Sequence, residues 1–267
     1  MMPQALDFLA ESDNLAAVLE PLREADFDAP TDFKGWTIST ILRHLHVWNY
    51  AAELSLIDGA AFQVFFKGPA PHILAGTLPE FEGHYLEGLK GLALLKRWRA
   101  HYRQMAARFG AADPSQRVVW AGPSMSTRSS IAARLMETWA HGQAIYDALG
   151  IMRQNTDRLH SIVVLGVKTY GWTFQNRGLK VPEPKPFLRL TAPSGAAWDF
   201  GEARADERIE GRAEDFCHVV TQTRNIADTG LKVTGPNATA WMEIAQCFAG
   251  RPEMPPAPGT RCLSVHG

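Results

Sequence analysis

The sequence predicts a mainly α protein with an α+β carboxy-terminal domain, a helical bundle followed by a small mixed unit. Three observations predict it. Apolar residues recur at helical spacing through most of the chain up to Phe174. The segment NRGLKVPEPKPF then places three prolines within five residues, which excludes both helix and sheet interior. Beyond it the apolar period changes from 3.6 toward 2, the signature of short strands. The resulting division is a bundle over residues 1–178 and a small α+β domain over 179–267 with a Pro-rich tail.

Residues 4–25 carry an apolar stripe at Leu6, Leu9, Leu15, Val18, Leu19 and Leu22, interrupted by Ser12, Asp13 and Asn14, which fits one long or two abutting helices. PTDFKGWT is turn-rich, and Thr37 is placed to cap a second helix bearing Ile38, Ile41, Leu42, Leu45, Trp48 and Ala52. Gly68 to Pro79 reads as a Gly/Pro-containing connection. A third helix starts at about Pro79 or Leu86 and runs to Phe109, with Leu92, Leu95, Trp98, Tyr102 and Met105 on its apolar side. Asp113-Pro114 ends it, and VVWAGP makes a short extended link. A fourth helix, capped by Ser124, Ser126 or Thr127, runs to Leu149 and stops at Gly150. A fifth helical pattern covers Asp157 to about Phe174. After the linker, FLRLTAP, AAWDFG and ERIEG read as strands, residues 212–223 as a helix, LKVTG as a strand and residues 237–249 as a last helix. From Arg251 the chain is too rich in proline to be regular.

Composition narrows the function classes. With 267 residues, 46% hydrophobic and 21% charged, the chain can bury a sizeable core. A formal net charge of −1 argues against a general nucleic-acid or membrane-surface role, since either calls for basic excess. No apolar run approaches the roughly 20 residues needed to span a bilayer, and the amino terminus lacks a secretory pattern. The expected location is therefore the cytoplasm. Cys217, Cys247 and Cys262 are odd in number and widely spaced, as reduced thiols would be. RWRAHYRQMAAR reads as a solvated helix face, and His72, His84 and His101 as surface residues.

The chemistry concentrates in METWAHGQAIYDALG, residues 136–150, where Glu137 and His141 stand four positions apart on a helix. That spacing stacks a carboxylate and an imidazole on one face, within reach of a single point. A third donor is available upstream from His44 or His46. The two diverge by roughly 200° around their helix, so at most one faces the same point. With Ile41, Leu45 and Trp48 setting the core direction, His44 falls on its margin and His46 points away. Two His and one Glu would leave open coordination positions for water or substrate. The motif lacks the Glu beside a ligand His that zinc peptidases use as base.

These motifs carry a resemblance. GWTISTILRHL resembles the amino-terminal metal helix of the DinB-like superfamily. METWAHGQAIYDALG resembles the EΦxxHGxDΦxxALG pattern of its mycothiol-dependent maleylpyruvate isomerase branch. The resemblance implies a DinB-like four-helix bundle followed by a small α+β domain, with the His…Glu…His metal triad on His44, Glu137 and His141. LRLTAPSGAAWDFG, ERIEG and DFCHVVTQTRN resemble the family's small domain, in which an Arg at a helix end faces the metal pocket. By position that is Arg224, suited to a carboxylate-bearing substrate. GWTFQNRGL, with Trp172, Phe174 and Arg177, resembles a poorly characterised subgroup.

The expected cofactors are a divalent cation, Zn²⁺ first, with Ni²⁺ and Fe²⁺ compatible by ligand type, and a low-molecular-weight thiol drawn from solution. Cys217 and Cys247 lie in apolar settings that suit inert thiols better than a nucleophile. The expected partner is a small-molecule substrate, without nucleic acid or membrane, and a homodimer stays open. A thiol-dependent isomerase or transferase leads. A metal-dependent hydrolase, or a binding protein without turnover, uses the same ligands.

Overall fold

The computed structural model describes residues 1–263. Its contacts divide the chain into two compact units, 1–149 and 150–267. In the first, the helices α1 (Pro3–Leu19), α2 (Ile38–Ile57), α6 (Gly91–Ala111) and α7 (Thr127–Ala148) pack into a four-helix bundle. The connection from α2 to α6 holds three short helices, α3 (Gly59–Phe66), α4 (Pro69–Ala75) and α5 (Leu78–Tyr85). A two-residue hairpin, β1 (Arg117–Val118) with β2 (Met125–Ser126), leads into α7.

The stripe read over α2 is buried, whereas those read over α1 and α6 are buried only in part: Leu15, Leu19, Leu95, Trp98, Tyr102 and Met105 are inside, but Leu6 and Leu92 are exposed and Phe8 takes the core position in the first turns of α1. Phe8, Leu15 and Leu19 of α1, Ile41 and Leu45 of α2, Trp98, Tyr102 and Phe109 of α6, and Ile131, Leu135 and Trp139 of α7 form the core. Thr37 caps α2, its hydroxyl accepting from the backbone N–H of Thr40 at 3.1 Å, and Ser126 caps α7 through Ser129 at 3.2 Å. Gly150, at φ 64°, ends the last bundle helix as expected.

Two expectations for this unit are corrected. The stretch from Gly68 to Pro79 is largely helical, because its prolines stand at the first turns of α4 and α5, where a missing N–H costs nothing. The third helix is two, α5 and α6, separated by left-handed backbone at Glu87, Gly88 and Gly91. Gly91 is required there. A Cβ would collide with the carboxylate of Glu24, which accepts from the N–H of Leu92 at 3.0 Å and so caps α6.

The second unit begins with α8 (Leu159–Lys168) and α9 (Tyr170–Gln175). Its four-stranded sheet comprises β3 (Phe187–Thr191), β4 (Ala197–Phe200), β5 (Arg208–Arg212) and β6 (Lys232–Thr234), ordered β4-β3-β5-β6. The central pair β3 and β5 is parallel, and the outer pairings are antiparallel. The helices α10 (Ala213–Val220) and α11 (Pro236–Ile244) complete it. Leu188, Leu190, Ile209, Phe216, Val220 and Trp241 are its buried apolar centre. All three strands read from FLRLTAP, AAWDFG and ERIEG are present, as is LKVTG.

The boundary at 178/179 moves to 149/150. The fifth helical segment packs on the second unit's own α10, with Gly166 against Phe216 and Val220. A helical period shows that a face is buried, and not which partner buries it. No helix among the described residues is long and apolar enough to cross a membrane.

Candidate metal centre

His44 lies on α2, and Glu137 and His141 lie on successive turns of α7, a helix adjacent to α2 in the bundle. The tertiary fold brings the three together. One donor atom from each falls within 4.8 Å of the others. Glu137 Oε2 is 3.1 Å from His141 Nε2 and 3.7 Å from His44 Nε2. Atoms bound at about 2.05 Å to a tetrahedral cation stand roughly 3.3 Å apart, so these separations fit one ion with little adjustment. The side chains keep 11%, 18% and 12% exposure for His44, Glu137 and His141.

The second nitrogen of His44 is held as well. Its Nδ1 is 2.8 Å from Glu82 Oε1, and the same oxygen accepts from Trp48 Nε1 at 2.9 Å. Glu82, on α5, is fully buried, and among the described residues its other oxygen has no hydrogen-bond partner. A carboxylate behind a histidine fixes the ring and its tautomer, leaving Nε2 free to act as ligand. Nothing in the sequence singles out Glu82. It sits in a polar stretch, PEFEGHY, and reaches the site only because α5 packs on α2.

Electrostatics follow from this packing. Burial opposes the charged form of His44, yet Glu82 and Glu137 outweigh it and raise its pKa to about 9. Glu137 is also desolvated, but the imidazoles of His141 and His44 beside it and the charge of Arg134 hold it well below the usual carboxylate range. His141 is pushed down by burial and by His44, against the pull of Glu137. Without a cation, a protonated His44 therefore lies between two carboxylates, at 2.8 Å from Glu82 and 3.7 Å from Glu137.

An aromatic wall encloses one side. The Trp36 ring stacks on His141 with centroids 5.8 Å apart and planes 1° from parallel, and Phe33 meets the same imidazole edge-on at 4.9 Å. Both rings come from the turn 30–37, closed by a Pro30–Thr37 bridge and by the Thr31 hydroxyl donating to Trp36 O at 2.9 Å. Left-handed backbone at Lys34 and Gly35 makes the turn tight enough to fold over the site. The sequence marks this stretch as a turn. It does not mark it as a wall.

His46 faces elsewhere, as its helical angle requires. It is buried with its ring 5.1 Å from that of His101, and burial, His101 and Arg97 press its pKa to about 3. His101 is corrected from a surface residue. Its side chain is 13% exposed and pairs with Glu53 at 2.9 Å, because α6 turns this position toward α2. His84 is exposed and His72 half-buried.

Comparisons with known proteins agree with this architecture. The family described as Mycothiol maleylpyruvate isomerase N-terminal domain matches residues 8–146, which include all three residues of the triad. The chain belongs to this family. Two uncharacterised proteins of Mycobacterium tuberculosis, from strains CDC 1551 / Oshkosh and H37Rv, are each 38% identical over 251 residues, covering 94% of this chain and 96% of theirs. Among solved structures, the mycothiol-dependent maleylpyruvate isomerase aligns with a TM-score of 0.53 at 16% identity, covering 81% of this chain and 87% of that one. A histidine-to-alanine mutant of the same isomerase gives the same score at 15% identity. At that identity the likeness establishes the shared fold.

Other residues singled out for this isomerase-family member fall in its second unit. Arg224 follows the C-terminal end of α10, half-buried, with its guanidinium donating to Thr223 O at 2.9 Å. Arg177 acts as a local clamp, donating to Thr173 O at 2.9 Å and Gln246 Oε1 at 3.1 Å. In the bundle, Gln143 is buried and donates to Asp147 at 2.9 Å. Cys217 and Cys247 are buried, and desolvation raises the Cys217 thiol well above its ordinary range, which suits inert packing rather than nucleophilic attack.

Proposed function

We propose that this protein is a divalent-metal-dependent, thiol-using enzyme of the isomerase or transferase type, acting on a small acidic substrate. His44, Glu137 and His141 hold the cation, Zn²⁺ by preference, and Arg224 pairs with the acidic group of the substrate. The observation that carries this reading is the convergence of three donor atoms at metal-ligand spacing, backed by a buried carboxylate on the far nitrogen of one histidine. Membership of the maleylpyruvate isomerase family supports the choice of thiol chemistry.

A divalent cation bound there supplies an open coordination position at which a small thiol ionises readily at neutral pH. The protein's own groups do the rest. Glu82 accepts the Nδ1 proton of His44 and keeps Nε2 directed at the site. Glu137 brings an ionised oxygen without needing a proton removed, as its depressed pKa requires. Phe33 and Trp36 pack against His141 and keep water from that side. In the chemistry so supported, thiolate sulfur bonds to one carbon of an activated alkene and the π electrons move onto the conjugated carbonyl. The former double bond rotates, and loss of the thiolate restores an isomeric alkene.

Two measurements test this reading. Tag-free protein loaded with Co²⁺ should develop a thiolate-to-metal charge-transfer band when a small thiol is added. A spectrum that thiol leaves unchanged would remove the thiol from the mechanism and favour hydrolysis or simple binding. Glu82→Gln should weaken Zn²⁺ binding by about 10- to 100-fold, the usual cost of losing a carboxylate behind a ligand histidine, as read by chelator competition. Unchanged affinity would show that Glu82 serves Trp48 alone.

A further inference from the structure

Arg134 is the buried charge the metal triad leaves unexplained. It lies three residues before Glu137 and seven before His141 on α7, so it occupies the same helix face one turn nearer the hairpin. Its side chain is only 5% exposed, yet Glu137 Oε1, its ion-pair partner, is 3.6 Å from Nη2, beyond hydrogen-bond length. Among the described residues nothing accepts from Nη1, although that atom is buried. The guanidinium carbon instead lies 5.5 Å from the Trp120 ring. An indole face attracts a cation but satisfies none of its N–H donors.

Burying a guanidinium is costly unless acceptors replace the lost water. Glu137, the carboxylate paired with it among the described residues, directs its other oxygen at His44 and His141. Once a cation takes Oε2 of that carboxylate as a ligand, it offsets most of the charge that Glu137 offers to Arg134 through Oε1. An arginine kept buried and half-paired beside a reactive centre is poor structural design and a good receptor for an anion. Its planar fork matches a carboxylate.

We propose that Arg134 binds a carboxylate of the ligand that occupies the metal centre, making the bundle itself an acid-recognising site. This rests on the metal-centre reading above and deepens it. The incoming group replaces the Trp120 ring as partner of the fork. Trp120 belongs to the loop 119–124 between β1 and β2, which is tied to the bundle by the Ser55 hydroxyl donating to Val119 O.

The test is calorimetric titration of tag-free, zinc-loaded protein with succinate, with succinamide as the uncharged control and zinc content measured on every sample. Wild type should bind succinate saturably and succinamide not at all. Arg134→Gln should bind succinate at least ten-fold more weakly with zinc content unchanged, and Arg134→Lys, which keeps the charge without the fork, should fall between. Arg134→Met should melt no lower than wild type in the absence of ligand, because it removes a buried, unsatisfied charge. A structural arginine would give the opposite shift. Succinate binding equal to wild type in Arg134→Gln overturns the proposal and leaves the metal centre standing. Loss of zinc in that variant also overturns it, making Arg134 a positioning group for Glu137. Wild type that takes up no zinc ends both readings.

Discussion

Replacing His141 by Ala should reduce bound Zn²⁺ from about one ion per chain to a level set by adventitious binding. The ring supplies one of three protein donors, and its Nε2 lies at ligand spacing from Glu137. Removing a ligand outright should exceed the roughly 10- to 100-fold cost of removing a group behind one. The fold should persist in the variant. His141 sits between Phe33 and Trp36, so some packing is lost, but its Nδ1 is buried without a partner, and deleting it removes an unsatisfied polar atom. Metal analysis of tag-free protein beside a circular-dichroism melt separates loss of the site from loss of the fold. A folded variant that still holds one ion would sink the assignment of the triad.

The second large effect is a reversal of pH dependence on metal loading. In ion-free protein, His44 has a pKa raised to about 9, against about 6.5 for an unperturbed histidine. A raised value in the folded state means that protonated His44 stabilises the fold. That contribution is fully present below about pH 6.5 and is lost as pH rises through about 9. Glu137 acts at the other end, its depressed pKa contributing stability that falls away in acid. The cation requires His44 without its proton on Nε2, so it binds better as pH rises and displaces about one proton per ion near pH 7.5. Melting temperatures from pH 6 to 9.5 should therefore fall for ion-free protein while the gap to the zinc-loaded form widens. Calorimetry in buffers of different ionisation enthalpy counts the released proton. Zinc uptake with no proton release at pH 7.5 would mean that His44 is not a ligand.

The sequence determined whatever depends on one element at a time. Apolar spacing marked the bundle helices, Thr37 and Ser126 marked where two of them start, and the change of period after the proline cluster marked the strands. Glu137 and His141 were legible as a pair because helix geometry alone puts residues four apart on one face. The choice of His44 over His46 was legible for the same reason, from the angle each makes with its own helix's apolar stripe. Tertiary structure decided everything that one element contributes to another. Helical period could not say that α8 packs against α10 and α9 against α11. It could not say that α5 would carry Glu82 behind His44, or that the turn 30–37 would lay Phe33 and Trp36 against His141. Arg134 reads in the sequence as an ordinary helix arginine, because local patterns report which residues share a face, whereas a missing partner is a property of the space around a side chain.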